Sequence, residues 1–367
     1  MQNFDKILEK VNYKAAIVEK SEIKNFLQKY NKFLLNKPKI PNVIHLSKAY
    51  DEFSWRIDSE ILKGKDLDEN TMILLLIDTI IDYPICEVVL YLNANFYSHS
   101  ELIRMLTPQN LEFSAYEVIG DIIHLNLTEQ QLEYKQLIAD VIHFKTSKTV
   151  INKTGKIEDV YRFYQSEVLA GPDKLTTIHN ENNVKIFLDL GKVYWCSRLQ
   201  SERSRILKMI KPGEAVCDPF CGAGPHVIPA IKKGAKAICN DLNPSAIECL
   251  KISLKLNNIS CDDIQNIDAG QFLESYSNVH IDHFIFNLPE HSLEYIKYTE
   301  KYSGNFYLHV FFFCKSDVSV TNYFYDTTGY KVKSEWLREV RNVSPSKSVY
   351  KLEVKSEDFF KYQIENQ

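Results

Sequence analysis

From Tyr194 onward, apolar runs of strand length alternate with runs of helical spacing, and that alternation admits few folds. AVCDPF reads as a buried strand, GAGP as a turn, HVIPAIKKG as a helix closing at Gly234, and AKAICND as the next strand. Asn243-Pro244 opens another helix, with Asn as the cap and Pro at the first helical position. Strand-like DIQNID and HFIFN follow. Strand and helix at this interval make a parallel sheet with helices on both faces. The tail, from NFYLHVFFFC through SEWLREVRNV to SVYKLEV, adds the last strands, including an antiparallel hairpin. Ahead of the repeat, Ser197 is placed to cap a helix RLQSERSRILKMI, with Gln200 in the capping-box position and Lys211-Pro212-Gly213 as its stop.

A chain of 367 residues exceeds one such unit. Residues 1–92 mix helical runs with one apolar stretch, MILLLIDTIIDYPICEVVLYL, which reads as a buried helix, a break at Pro84 and a strand. Between 93 and 190, AYEVIGDIIHLNL reads as a strand pair and EQQLEYKQLIADVI as a helix. The expected organisation is α/β: a small N-terminal α+β domain at 1–92, a middle α/β domain at 93–190, and a Rossmann-like domain at 191–367.

The start of the chain lacks both the apolar core of a signal peptide and the Arg-rich composition of a transit peptide, so a cytoplasmic protein is expected. No apolar run approaches the length of a membrane span. Eight cysteines occur without a CxxC pair, and the close pair Cys217 and Cys221 flanks a turn, which reads as buried thiols with neither zinc nor disulfides. A net charge of −4 argues against generic nucleic-acid binding while leaving room for local patches. The clearest patch is KTSKTVINKTGK, with Lys145, Lys148, Lys153 and Lys156; taken alone it is a solvated lysine face.

In a parallel sheet of this kind, ligands sit outside the carboxyl ends of the strands. That rule selects Asp218-Pro-Phe220-Cys-Gly222-Ala-Gly224 after the first strand, Asp241 at the end of the second and Asp268 at the end of the third. The glycines admit close approach of a ligand, Asp241 suits ribose hydroxyls, and Asp268 or its backbone suits an adenine. The third glycine of a dinucleotide-binding turn is absent, and with it the phosphate cradle. The pattern therefore favours S-adenosylmethionine over NAD. Asn287 ends the fourth strand, so its amide is expected to face the methyl donor, and the Asn287-Leu-Pro289 turn carries Glu290 where a stacking aromatic would serve an exocyclic amine.

The stretches YRFYQSEVLAG, VYWCSRLQSER, DPFCGAGPHVIPA, NDLNPSAIECLK, FNLPEHSLEYI and VRNVSPSK resemble, in this order, the archaeal and eukaryotic tRNA guanine-N1 methyltransferases that modify position 37. GDIIHLNL and KQLIADVI resemble their middle domain, and the likeness covers about 95 to 350. It implies a class I methyltransferase fold and methyl transfer from S-adenosylmethionine to N1 of guanosine 37. By the same resemblance, Glu202 is the general base that takes the N1 proton, and Arg162 and Asn287 hold O6 as negative charge develops there. Tyr194 and Arg198 line the donor pocket or the approach to the base. Phe220, Leu242 and Pro289 join Asp218, Gly222, Gly224, Asp241, Asp268 and Asn287 around the donor. The N-terminal domain docks on the outer corner of tRNA, the middle domain contacts RNA, and the protein is a monomer. Taken alone, Glu202 is a helix-surface glutamate, Arg162 a surface ion pair and Tyr194 a core residue. His124 and Asn126 read as structural. His226, Pro219, Cys221 and Asp121 depart from the family pattern.

Three other functions fit parts of the pattern. Aminocarboxypropyl transfer in wybutosine synthesis uses a related donor fold but lacks the Asn-Leu-Pro turn. A silent tRNA-binding protein would not need Arg162, Glu202 and Asn287 together. Methylation of an exocyclic amine would need an aromatic in place of Glu290.

Overall fold

The computed structural model describes residues 4, 7–45, 55–58, 71–76, 81–108, 111–113, 115–154, 165–261 and 263–366. These fall into two compact units, one made of 1–115 and 128–147, the other of 116–127 and 148–367. Arg162 and Lys156 lie outside the described residues.

The first unit holds an antiparallel sheet in the order β2-β4-β1-β5-β3, with β1 Leu8–Glu19, β2 Val43–His45, β3 Trp55–Ile57, β4 Thr71–Leu76 and β5 Ile85–Asn93. Its helices are α1 (Ile23–Tyr30), α2 (His99–Leu106), α3 (Glu129–Leu132) and α4 (Lys135–Thr146). The expected buried helix at MILLL is corrected here: it is strand β4. This strand lies between β1 and β2 with Ile73 to Leu76 all buried, so it shows no alternation and carries the pattern that a buried helix would also carry.

The second unit begins with β6 (Glu117–Ile119), β7 (Ile122–Leu125), β8 (Thr149–Lys153) and β9 (Ser166–Ala170), in one sheet of that order. β6 and β7 form the expected strand pair, and His124 is buried on β7. A hairpin of β10 (Thr176–Glu181) and β11 (Val184–Asp189) follows. The large sheet has the order β14-β13-β12-β15-β16-β18-β17. Its strands are β12 (Ala215–Asp218), β13 (Lys236–Asn240), β14 (Asp263–Gln265), β15 (His283–Phe286), β16 (Tyr307–Lys315), β17 (Leu337–Ser344) and β18 (Lys347–Lys355). β12 to β16 are parallel, and β17 and β18 form the antiparallel hairpin expected from the tail. The helices are α5 (Gln200–Met209), α6 (Val227–Lys232), α7 (Pro244–Leu256), α8 (Ala269–Ser275), α9 (Val320–Thr328) and α10 (Ser356–Glu365). Asn243 caps α7 through its side chain, with Pro244 in the first turn.

Chain order reverses between β12 and β15: the strands run outward through β13 and β14 on one side and resume at β15 on the other. That reversal opens the crevice where such sheets bind ligands. A core of Phe272, Phe284, Phe286, Phe312 and Phe324 fixes this part of the sheet. All eight cysteines are free, with Cys86 and Cys261 half-buried and the others buried. Among the described residues, no helix is long and apolar enough to cross a membrane.

Candidate active site

The crevice between β12 and β15 collects the strand-end residues that the sequence singled out. β12 and β15 pair in parallel with Val216 opposite His283 and Cys217 opposite Phe284, so Asp218 and Asn287 leave the sheet at the same edge. Asp218 is fully buried; its Oδ1 accepts the Phe220 N–H at 3.1 Å, and its Oδ2 has no partner among the described residues. Burial drives its pKa well up, helped by the nearby Asp241 charge and opposed by the Phe220 N–H. Gly222 has φ +55° and open space where a side chain would stand, whereas a Cβ at Gly224 (φ +88°) would meet Leu250 at 2.5 Å. The first glycine keeps a surface clear for a ligand, and the second lets the turn pack on α7.

Asp241 ties the second strand end to that turn. Its carboxylate accepts N–H groups from Gly222 at 2.7 Å and Asn243 at 2.9 Å. Leu242 beside it is exposed. Asp268 takes a different part: its Oδ1 accepts the Gly270 and Gln271 N–H groups at 2.8 and 3.1 Å and caps α8, so the carboxylate is committed to the helix end. Sequence reading missed the amides that fasten these strand ends together. Buried Asn240 donates to the Pro219 and Ile267 carbonyls and accepts the Ile267 N–H. Asn243 donates to the Lys192 carbonyl at 2.7 Å, and Asn266 to those of Asp241 and Leu242. The signal available was an Asn at or beside two successive strand ends, ICND and QNID.

Asn287 lies half-buried past β15, with Nδ2 3.4 Å from Nε2 of buried His226. Burial holds the His226 pKa down to about 3, aided by Arg203 and Lys351, so the ring is neutral at neutral pH and can accept from the amide. The turn closes through Ser292, whose Oγ accepts the Leu288 N–H and donates to the Phe286 carbonyl.

The segment carrying Tyr194, Arg198 and Glu202 is pinned by Arg203. Its guanidinium grips Glu181 of β10 in a buried two-point pair at 2.5 and 2.6 Å, donates to the Cys196 carbonyl and lies 4.8 Å from the Trp195 ring centre. Tyr194 and Arg198 are exposed. The expected Ser197 cap does not form: Ser197 accepts from the Trp195 indole at 3.0 Å, and the chain enters α5 through a tight turn at Ser197–Leu199. The Arg203 clamp holds the chain there in place of a side-chain cap.

Glu202 is not a helix-surface glutamate. It is 3 % exposed and meets Lys351 at 2.9 Å, Arg205 at 3.1 Å and Arg338 in a close contact. Burial works to raise its pKa, but Lys351, Arg205 and Arg338 outweigh it and bring it down to about 2. Behind Lys351 the polar chain continues through Glu353 to His309, then at 3.1 Å to His283 and at 3.0 Å to Glu214. Lys351 and Glu353 are two apart on β18, on one face of the strand. VYKLEV carried that signal as two charges alternating through an otherwise apolar run.

The lysine run divides. Lys145 donates to the Ala94 carbonyl in the first unit, and Lys148 to the Gly120 carbonyl in the second. Burial lowers the pKa of Lys153. Lys145, Lys148 and Lys153 are each half-buried, so none of these three is a fully solvated surface lysine.

Residues 177–322 match the TRM5/TYW2 methyltransferase domain, and residues 101–174 the TYW2 N-terminal domain. The tRNA (guanine(37)-N(1))-methyltransferase of Encephalitozoon cuniculi is 38% identical over 326 residues, covering 87% of this chain and 88% of that protein. The wild-type Trm5b of Pyrococcus abyssi superposes with a TM-score of 0.65 at 23% identity, covering 93% of this chain and 98% of that one. The structure of aTrm5 with tRNALeu gives 0.65 at 22% identity, covering 94% and 99%. The likeness in sequence reaches through both units, and this chain belongs to the tRNA (guanine(37)-N(1))-methyltransferase family.

Proposed function

We propose that the protein transfers a methyl group from S-adenosylmethionine to N1 of guanosine 37 in tRNA. The observation that carries this reading is the Asn287-Leu288-Pro289 turn, which leaves β15 across the chain reversal from the Asp218 turn. The donor set fits the co-substrate: a cationic ligand suits the unpaired, buried Oδ2 of Asp218, and Gly222 leaves room beside it. Asp218, Phe220, Gly222, Gly224, Asp241 and Leu242 would hold it, with the Asp268 backbone beyond them. Bound there, S-adenosylmethionine supplies an electrophilic methyl carbon.

The chain's own groups manage the proton and the developing charge. Guanine N1 bears a proton that must leave as the nitrogen attacks, and Glu202, kept ionised by its cations, is the acceptor. Arg162 and Asn287 donate to O6, where negative charge accumulates. Asn287 is oriented for this by neutral His226. Tyr194 and Arg198 stand exposed on the approach of the incoming base, which leaves the anticodon stack to reach the crevice. Residues 1–92 dock on the outer corner of tRNA and 93–190 contact RNA around the methyltransferase domain at 191–367. The enzyme works as a monomer in the cytoplasm.

The test is nucleoside mass spectrometry after incubation with S-adenosylmethionine and tRNA transcripts carrying G or A at position 37. 1-Methylguanosine from the first and none from the second is the expected result. An aminocarboxypropyl adduct, or tight binding without product, would overturn it. Glu202→Gln is expected to slow single-turnover transfer more than it weakens donor binding, and Asp241→Ala to do the reverse.

A further inference from the structure

Beside the Asn287 turn, the second unit holds a cavity of about 360 Å³ that shares Pro289 with the expected donor pocket and whose other lining residues the reaction above does not use. Its size is in the range of small-ligand sites. One wall is the turn itself, through Pro289 and Glu290; the other is the end of β16 with Lys347 of β18. The walls are joined: the Phe313 N–H donates to the Pro289 carbonyl at 3.0 Å.

One feature of the second wall is electrostatically unfavourable in the free protein. Lys315 and Lys347 stand directly opposite each other across the β16–β18 ladder, and like charges at facing positions destabilise a sheet. Among the described residues neither is in an ion pair, and Lys347 instead sits 3.9 Å over the Phe313 ring. Glu290 is the one acid among the lining residues. An anion placed between the two ammonium groups relieves the repulsion. Tyr323, stacked on Phe312, adds an aromatic ring to the lining beside Pro289. Cations with an aromatic and a proline are a lining for a nucleotide. Asn287 and Pro289 are two residues apart, at most about 7 Å along the chain, so a nucleotide in this cavity would be a strand neighbour of a base held by Asn287.

We propose that this cavity binds the nucleotide adjoining the target guanosine, its phosphodiester between Lys315 and Lys347 and its base against Pro289 and Tyr323. The proposal rests on the tRNA reading above. It is tested by measuring tRNA affinity across a salt series for the unaltered protein, Lys315→Ala/Lys347→Ala and Lys315→Arg/Lys347→Arg, with S-adenosylmethionine affinity as a control. The alanine pair is expected to bind tRNA roughly tenfold more weakly and to lower the slope of log affinity against log salt by about one per lysine contacting phosphate. The arginine pair is expected to restore both, and donor affinity to stay unchanged. A tRNA with a neutral methylphosphonate linkage on one side of nucleotide 37 should weaken the unaltered protein and not the alanine pair further. Unchanged affinity and slope, no recovery with arginine, or equal weakening of both proteins by the neutral linkage overturns the site. An unaltered protein that neither binds nor methylates tRNA overturns the functional reading itself.

Discussion

The unpaired oxygen of Asp218 sets the terms at the residue scale. An ionised carboxylate in a fully buried position with one N–H partner costs stability in the free protein, and its raised pKa expresses that cost. The sign is definite: a carboxyl whose folded pKa lies above its unfolded value penalises the fold once pH rises past the unfolded pKa, and the penalty grows until the pH passes the folded pKa. Asp218→Asn is therefore expected to stabilise the free protein by about 1 to 2 kcal/mol at pH 7, measured by urea unfolding, with the gain shrinking below pH 4. The same variant should gain less in melting temperature on adding S-adenosylmethionine, because the partner for the bound cation is gone. A destabilised variant, or an undiminished shift with donor, would show that Asp218 is a satisfied structural residue. Asp241 and the glycine turn were legible in the sequence because strand ends and turns leave short-range signals. The capping role of Asp268 was not, since Asp before a helix and Asp facing a ligand are written with the same letter.

At the scale of elements, the parallel strands were legible and β4 was not. β12 to β16 announce themselves through alternation with helices and through turn residues, whereas the uniformly apolar β4 offers no period to distinguish strand from helix. β18 posed the opposite difficulty. Its Lys351 is fully buried between Glu202 and Glu353, and an alternating strand with two charges on one face reads from sequence as solvent-facing. Only the pairing of β16 with both β15 and β18 turns that face inward, and pairing is a long-range fact. Removing one member of a buried ionic cluster leaves the others uncompensated, so Lys351→Met is expected to cost about 3 kcal/mol in urea unfolding. A loss under about 1 kcal/mol would mean that Arg205 and Arg338 suffice to hold both carboxylates.

Across the methyltransferase unit, the same cluster joins α5, β16, β17 and β18, because Glu202 and Arg205, His309, Arg338, and Lys351 with Glu353 come from those four elements. A proposed base held by three cations, with a pKa of about 2, is ionised throughout pH 5 to 8. Its low pKa, about 2, therefore predicts no acid limb from Glu202 in the single-turnover rate between pH 5 and 8. A limb there that Glu202→Gln abolishes would place the working pKa of Glu202 far above that of the free protein, which requires Arg338 or Lys351 to withdraw when tRNA binds. Stability gives an independent reading of the same charge. A carboxyl with a depressed folded pKa stabilises the fold above its unfolded pKa, near 4.5, and that contribution fades as pH falls towards 2. Glu202→Gln should thus be less stable than the unaltered protein at pH 7, on the order of 2 kcal/mol after allowance for solvent around half-exposed Arg338. The gap should narrow between pH 5 and 3 in parallel urea titrations. A gap that stays constant with pH would assign the loss to packing, and the ionic clamp on Glu202 would then contribute nothing that its charge explains.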